Sequence, residues 1–148
     1  AATEDLVGDP AEGQRLRELR SKVAEVIWNE LGEAAAATPT GAAILLEFDL
    51  APADERERIA ASLAAGVRDT AGRISTGFLG TPVILDAMSR NGHLDEAFLM
   101  LLREQMPSWL YPITKGATTI WERWDGIKPD GDINGGGLAN NSEGAGEA

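Results

Sequence analysis

The chain has no cysteine and a single histidine among its 148 residues. Without thiols there is no disulfide framework, no thiolate nucleophile and no Cys-based zinc site. One histidine argues against a Ser-His-Asp triad or a multi-histidine metal centre, so no metal and no cofactor are expected. Positive charge is short as well. Lys and Arg number 13 against 24 Asp and Glu, and the net charge of −11 speaks against a nucleic-acid partner. Long hydrophobic runs are missing: nothing approaches the roughly 20 apolar residues of a membrane span, so no membrane partner is expected. A basic stretch followed by an apolar core is not found at the start, and the first residue is Ala, as in a processed or excerpted chain. Localisation stays open, with the cytoplasm slightly favoured. The catalytic vocabulary that remains is mostly carboxylates, Arg, Lys and Tyr.

Aromatic residues make up only 5% of the chain, yet three of its four Trp fall between residues 109 and 124. The stretch Gly116-Ala117-Thr118-Thr119-Ile120-Trp121-Glu122-Arg123-Trp124-Asp125 sets a carboxylate between two indoles, beside a guanidinium and a second acid. Just upstream, Ser108-Trp109-Leu110-Tyr111-Pro112 adds two more flat faces. Indole and phenol faces stack on the C–H faces of sugars, while carboxylates and Arg take the hydroxyls. A glutamate walled by apolar rings can also be tuned for acid–base work. A plainer arrangement fits the same residues: a short helix that buries Trp121 and Trp124 and leaves Glu122 and Arg123 in water.

The rest of the chain reads as helices. After a polar lead-in over residues 1–11, Leu16, Leu19, Val23, Val26, Ile27 and Leu31 recur at helical spacing from Glu12, and Gly32 is expected to end that helix. Thr38-Pro39 is a helix start, with Thr as N-cap and Pro in the first turn, opening an almost wholly apolar run from Gly41 to Leu50 that Pro52 stops. Asp54 with Glu57 suggests a capping box for a third helix. Its core stripe is Ile59, Leu63 and Val67, with Glu55, Arg56, Arg58 and Arg68 facing water. Next come Thr76-Gly77-Phe78-Leu79-Gly80-Thr81-Pro82 and an apolar helix from Val83 to Met88, closed by Asn91-Gly92. The glycines of this motif serve packing and turning; no Lys follows them as in a phosphate-binding loop. His93 reads as a solvated turn residue. A further helix from Asp95 to Glu104 presents Phe98, Leu101 and Leu102 on one side and stops at Pro107.

Thr38-Pro39 and Thr81-Pro82 stand 43 positions apart, each opening a buried helix that follows an amphipathic one. That alternation predicts an all-α fold of stacked helical hairpins, as a solenoid or a closed toroid. Beyond Asp125 the chain is loop-rich, and residues 139–148 are small, polar and acidic, the composition of a disordered tail.

Taken in order, the motifs at 76–82, 107–112 and 116–126 resemble those of the bacterial α-L-rhamnosidases, inverting glycoside hydrolases with an (α/α)6 catalytic barrel. Thr38-Pro39-Thr40-Gly41-Ala42 stands where that family carries a Thr-Gln-Thr helix start. The likeness runs from about Leu16 to Leu138, and the Ala-Thr-Thr-Ile-Trp-Glu-Arg-Trp string is its most specific part. It implies that residues 12–138 form about half of an (α/α)6 toroid and that the substrate is a rhamnose-containing glycoside. Glu122 matches the glutamate that deprotonates the attacking water. Trp109, Trp121 and Trp124 match aromatics near the rhamnose pocket; Asp125 is expected beside them as a substrate-binding residue or, with Arg123, as one that holds Glu122 or its helix in place. If residues 118–125 are helical, Thr118 shares a face with Glu122 and orients it.

Two departures go with the resemblance. The family's general acid lies in an Asp/Glu/Arg-rich motif upstream, and no such motif occurs before Thr76; Glu47 and Asp49 do not match it. Where the family continues Asn-Ser-Phe-Asn-His-Tyr, this chain reads Ala139-Asn140-Asn141-Ser142-Glu143, without the His. The expectation is therefore an incomplete catalytic domain with one of two catalytic carboxylates. Such a half-toroid would self-associate or pair with the missing half of the barrel. The alternative is a non-catalytic sugar-binding or helical interaction module.

Overall fold

A computed structural model of the chain describes residues 8–134. The expected tail at 139–148 lies outside the described residues. Among the described residues six helices follow one another: α1 Pro10–Ala36, α2 Pro39–Glu47, α3 Arg56–Asp69, α4 Ile84–Arg90, α5 Leu94–Leu101 and α6 Leu110–Thr114. Among the described residues the only β feature is a single antiparallel bridge between Ile127 and Ile133. None of these helices is long and apolar enough to cross a membrane. The chain is all-α, as its periodicity predicts.

The short apolar helices α2 and α4 pack on each other, and α1, α3 and α5 surround them. The inner-and-outer alternation expected from the sequence is thus present. The core is Ala42, Ala43, Leu45 and Leu46 of α2, Ile59, Ala60, Leu63 and Val67 of α3, and Ile84, Ala87 and Met88 of α4, closed by Ala97 and Met100 of α5. Alanines at the contacts let the helices approach closely, while Leu45, Leu46, Ile84 and Met88 fill the volume between them. The stripe Ile59, Leu63 and Val67 is buried as expected.

Several boundaries differ from those expected. Asp9 caps α1, its carboxylate accepting from the Ala11 amide at 2.9 Å, and Pro10 is already helical. Gly32 does not end α1 but lies buried within it. A Cβ there would stand 2.5 Å from the Trp28 ring, so this glycine makes room for an indole rather than a turn. The capping box at Asp54 does not form: Glu55 takes the cap position without a side-chain bond and pairs instead with Arg58 at 2.6 Å. Arg56 does not simply face water. It bridges Asp49 at 2.8 Å and donates to the Leu46 carbonyl at 3.0 Å, tying α3 to the end of α2.

Thr38 caps α2 as expected, its hydroxyl accepting from the Gly41 amide at 3.1 Å. Thr81 does not do the same for α4, which begins at Ile84. Its hydroxyl is held inside the preceding turn by Thr76 and the Gly77 carbonyl. The two glycines of that turn do serve packing. Gly77 donates to the Thr40 hydroxyl at 3.3 Å, and a Cβ on Gly80 would come within 3.0 Å of the Thr40 Cα. The start of α2 and the motif before α4 therefore interlock.

On α5 the buried residues are Ala97 and Met100, whereas Phe98 and Leu102 are exposed. The expected Phe98, Leu101 and Leu102 face is not the one turned to the core: α5 packs through Ala97 and Met100, and Leu101 is only half-buried.

Candidate functional site

Ser108 opens the aromatic region. It is fully buried, and its hydroxyl accepts from the Tyr111 amide at 3.0 Å, which starts the short helix α6. Gly116, at φ +82°, turns the chain out of α6 in a conformation that L side chains rarely adopt. Residues 117–126 are not helical but run as bends and turns. Thr118, Thr119 and Ile120 are β-branched, which weakens helix formation there. The i, i+4 relation between Thr118 and Glu122 is therefore not available, and neither is the short-helix alternative.

The aromatic side chains do converge. Trp109 and Trp124 meet edge to face, with ring centroids 6.1 Å apart and planes at 77°. With Trp121 they line a groove of about 450 Å³, completed by Leu110, Pro112, Ile113 and the turn from Ala117 to Ile120. The lining is mainly apolar; its side-chain polar atoms are the hydroxyls of Thr118 and Thr119 and the indole N–H groups. Glu122 lies in sequence between two of the indoles but is exposed, and it is not part of the groove wall. The carboxylate is therefore not boxed in by apolar rings within this chain.

Asp125 is held firmly. Arg123 grips both of its oxygens, at 2.9 and 3.0 Å, and the Asn134 side-chain amide donates to it at 2.5 Å. These hydrogen bonds, Arg123 first, outweigh the upward push of burial and hold the Asp125 carboxyl below the usual aspartate value. A lowered folded-state pKa favours the ionised form on folding. The contribution is complete above the unfolded pKa and is lost as pH falls through the folded one. Asp125→Asn should therefore lower the urea midpoint at neutral pH. The difference from wild type should shrink at pH values below the ordinary aspartate range; a difference independent of pH would contradict the ion pair.

Nothing in the sequence marks Tyr111 or Asn134 as holding the site together. Tyr111 is buried, and its hydroxyl donates to the Ile127 carbonyl at 2.7 Å. Burial, with Asp130 and Asp125 nearby, raises the phenol pKa, so it remains a donor. Lys115 lies over the Tyr111 ring, 5.6 Å from its centroid, and donates to the Pro129 carbonyl at 3.1 Å. His93 sits at the start of α5, 3.7 Å from Glu96, and takes no part in the groove. Glu47 and Asp49 are occupied elsewhere: Glu47 accepts from Arg90 at 2.8 Å, and Asp49 from Arg20 and Arg56. Among the described residues no group of His, Cys, Asp or Glu is arranged to hold a metal.

A family model described as the bacterial alpha-L-rhamnosidase six-hairpin glycosidase domain matches residues 7–143. The chain belongs to this family. An alpha-L-rhamnosidase of Streptomyces avermitilis is 44% identical over 94 residues, 64% of this chain and 9% of that protein. One from Formosa agariphila is 38% identical over 89 residues, 60% of this chain and 10% of that protein. Among solved structures, native alpha-L-rhamnosidase from Aspergillus terreus superposes with a TM-score of 0.79 at 30% identity, over 90% of this chain and 16% of that one. The Streptomyces avermitilis enzyme complexed with L-rhamnose gives 0.63 at 42% identity, over 66% of this chain and 9% of that one. The rhamnosidase resemblance is thus confirmed, and the helices fit an (α/α)6 toroid. The chain spans about a tenth of the length of the curated relatives it matches.

Proposed function

We propose that this chain is part of the catalytic toroid of an α-L-rhamnosidase and contributes Glu122 as general base in the inverting hydrolysis of terminal α-L-rhamnosides. The observation that carries the reading is the family's specific motif beside an aromatic groove, with Glu122 flanked by the groove residues Trp121 and Trp124. In such a reaction the base takes a proton from water, whose oxygen attacks the anomeric carbon. The glycosidic oxygen receives a proton from the acid and departs on the opposite side. Base and acid stand roughly 6.5–9.5 Å apart to leave room for the water. In this reading the acid comes from outside this chain, whose Glu47 and Asp49 do not match the family's acid motif and pair with arginines instead. Exposed apolar side chains on the outer helices, Val26 and Leu31 on α1 and Phe98 and Leu102 on and just after α5, would be covered by the remaining helices or by a second copy.

The test is the anomer first released from an aryl α-L-rhamnoside by the chain combined with the remainder of the toroid. Inversion predicts β-L-rhamnose in the earliest NMR spectra; α-L-rhamnose appearing first would overturn the mechanism. The exposure of Glu122 favours a second reading, a sugar-binding module without catalysis. That reading predicts quenching of Trp fluorescence by rhamnose, with no turnover after the remainder of the toroid is added.

A further inference from the structure

We infer that Tyr111 and Asn134 are positioning residues that set where Glu122 stands, an inference that rests on the base assignment above. Residues 117–126 contain no helix or strand, so the location of Glu122 is decided by how the two ends of this segment are tied. The first end is fixed to α6 by the chain itself: Gly116 donates to the Ile113 carbonyl at 2.9 Å and Ala117 to that of Pro112 at 3.0 Å. The second end returns to the same helix through one buried side chain, the Tyr111 hydroxyl on the Ile127 carbonyl. A hydrogen bond in such a low-dielectric setting is stronger than one in water, and its loss leaves the carbonyl without that donor.

Asn134 closes the second end from the other side. Its backbone amide donates to the Gly126 carbonyl at 3.0 Å, and its side chain holds Asp125, three residues from Glu122. Arg123 and Asp125 then lock the residues immediately following the carboxylate. The arrangement is a clasp. Helix α6 grips both ends of the segment, and the Asp125–Asn134 contact prevents the returning limb of the loop from sliding. Glu122 itself is exposed, so its own side chain does not supply this restraint. The ties run through backbone carbonyls and an amide, which makes the two residues positioning groups with no contact to the reacting atoms.

The first measurement is hydrogen exchange in the chain as it stands. Tyr111→Phe should speed exchange of the Lys128 and Asn134 amides about tenfold or more while the core of α2 and α4 stays protected. The second is turnover of an aryl α-L-rhamnoside in the competent assembly. A base displaced by about an ångström costs on the order of 100-fold. Tyr111→Phe and Asn134→Ala should thus lower kcat about 10- to 100-fold with KM within twofold, and azide, which attacks without losing a proton, should restore turnover. Asn134→Ala keeps the Tyr111 ring in place and serves if Tyr111→Phe melts early. If Glu122→Gln abolishes turnover while both clasp variants keep kcat within twofold, the inference is overturned and the base assignment survives. If Glu122→Gln has no effect, the base assignment falls and this inference with it.

Discussion

Gly41→Ala is expected to destabilise the chain by about 3 kcal/mol, at the upper end of what overpacking usually costs. Only Ala37 and Thr38 separate α1 from α2, so the chain reverses with almost no slack. The Ala35 carbonyl accepts from both the amide and the hydroxyl of Thr38, at 3.0 and 3.1 Å, and this draws the end of α1 over the first turn of α2. A Cβ on Gly41 would lie 2.2 Å from that carbonyl oxygen and 2.7 Å from the Ala35 Cα. Both are backbone atoms, and neither can rotate away as a flexible side chain would. Relief requires α2 to back off from α1, which opens the contacts of Ala42 and Ala43 with the core. Gly66→Ala is the internal control. Gly66 is exposed on α3 with nothing within 4 Å of a Cβ, so alanine should stabilise by up to about 1 kcal/mol through backbone entropy and helix propensity. Urea unfolding with unchanged m-values distinguishes the two. A Gly41→Ala variant within about 0.5 kcal/mol of wild type, well inside the ordinary scatter of surface substitutions, would mean that α1 and α2 do not meet so closely.

How far the sequence could be read depended on whether a feature is decided locally or by its neighbours. The Thr38 cap and the Ile59, Leu63, Val67 stripe were legible because one hydroxyl or one periodicity suffices to specify them. Gly32 is misleading because its role is set by the Trp28 ring lying against it, which no turn rule reports. The box at Asp54 does not form because the helix starts one residue later than the pattern suggests, with Glu55 at the cap position in a helical conformation and without a side-chain bond. On α5 the large side chains Phe98 and Leu102 announce a core face, but the packed face is the one carrying Ala97 and Met100. At the site, the convergence of Trp109, Trp121 and Trp124 was readable from their clustering in an aromatic-poor chain. The clasp was not. Tyr111 bonds a backbone carbonyl, and such a partner leaves no trace in residue identity.

Glu122→Gln is the variant with the largest expected effect on chemistry. The substitution keeps shape and hydrogen bonding but removes the capacity to take a proton, so a general base loses its function while a surface residue loses almost nothing. Positioned acid–base groups contribute typically 10²- to 10⁴-fold, and kcat of the competent assembly should fall by an amount in that range. KM should stay close to wild type, because the proposed site leaves the rhamnose contacts to the groove residues, and Glu122 is not among them. Azide separates loss of the base from loss of the fold. Its nitrogen attacks the anomeric carbon as the glycosidic bond breaks and the acid protonates the leaving oxygen, so no base is required and a β-rhamnosyl azide results. Stability should not change measurably, given that the Glu122 side chain is exposed. Trp121→Ala provides the complementary result. It removes an indole from the groove wall, so it should raise KM and weaken rhamnose binding while leaving the azide reaction independent of Glu122. If Glu122→Gln turns over at the wild-type rate while Trp121→Ala weakens binding, the aromatic groove is a sugar site whose base lies elsewhere in the toroid.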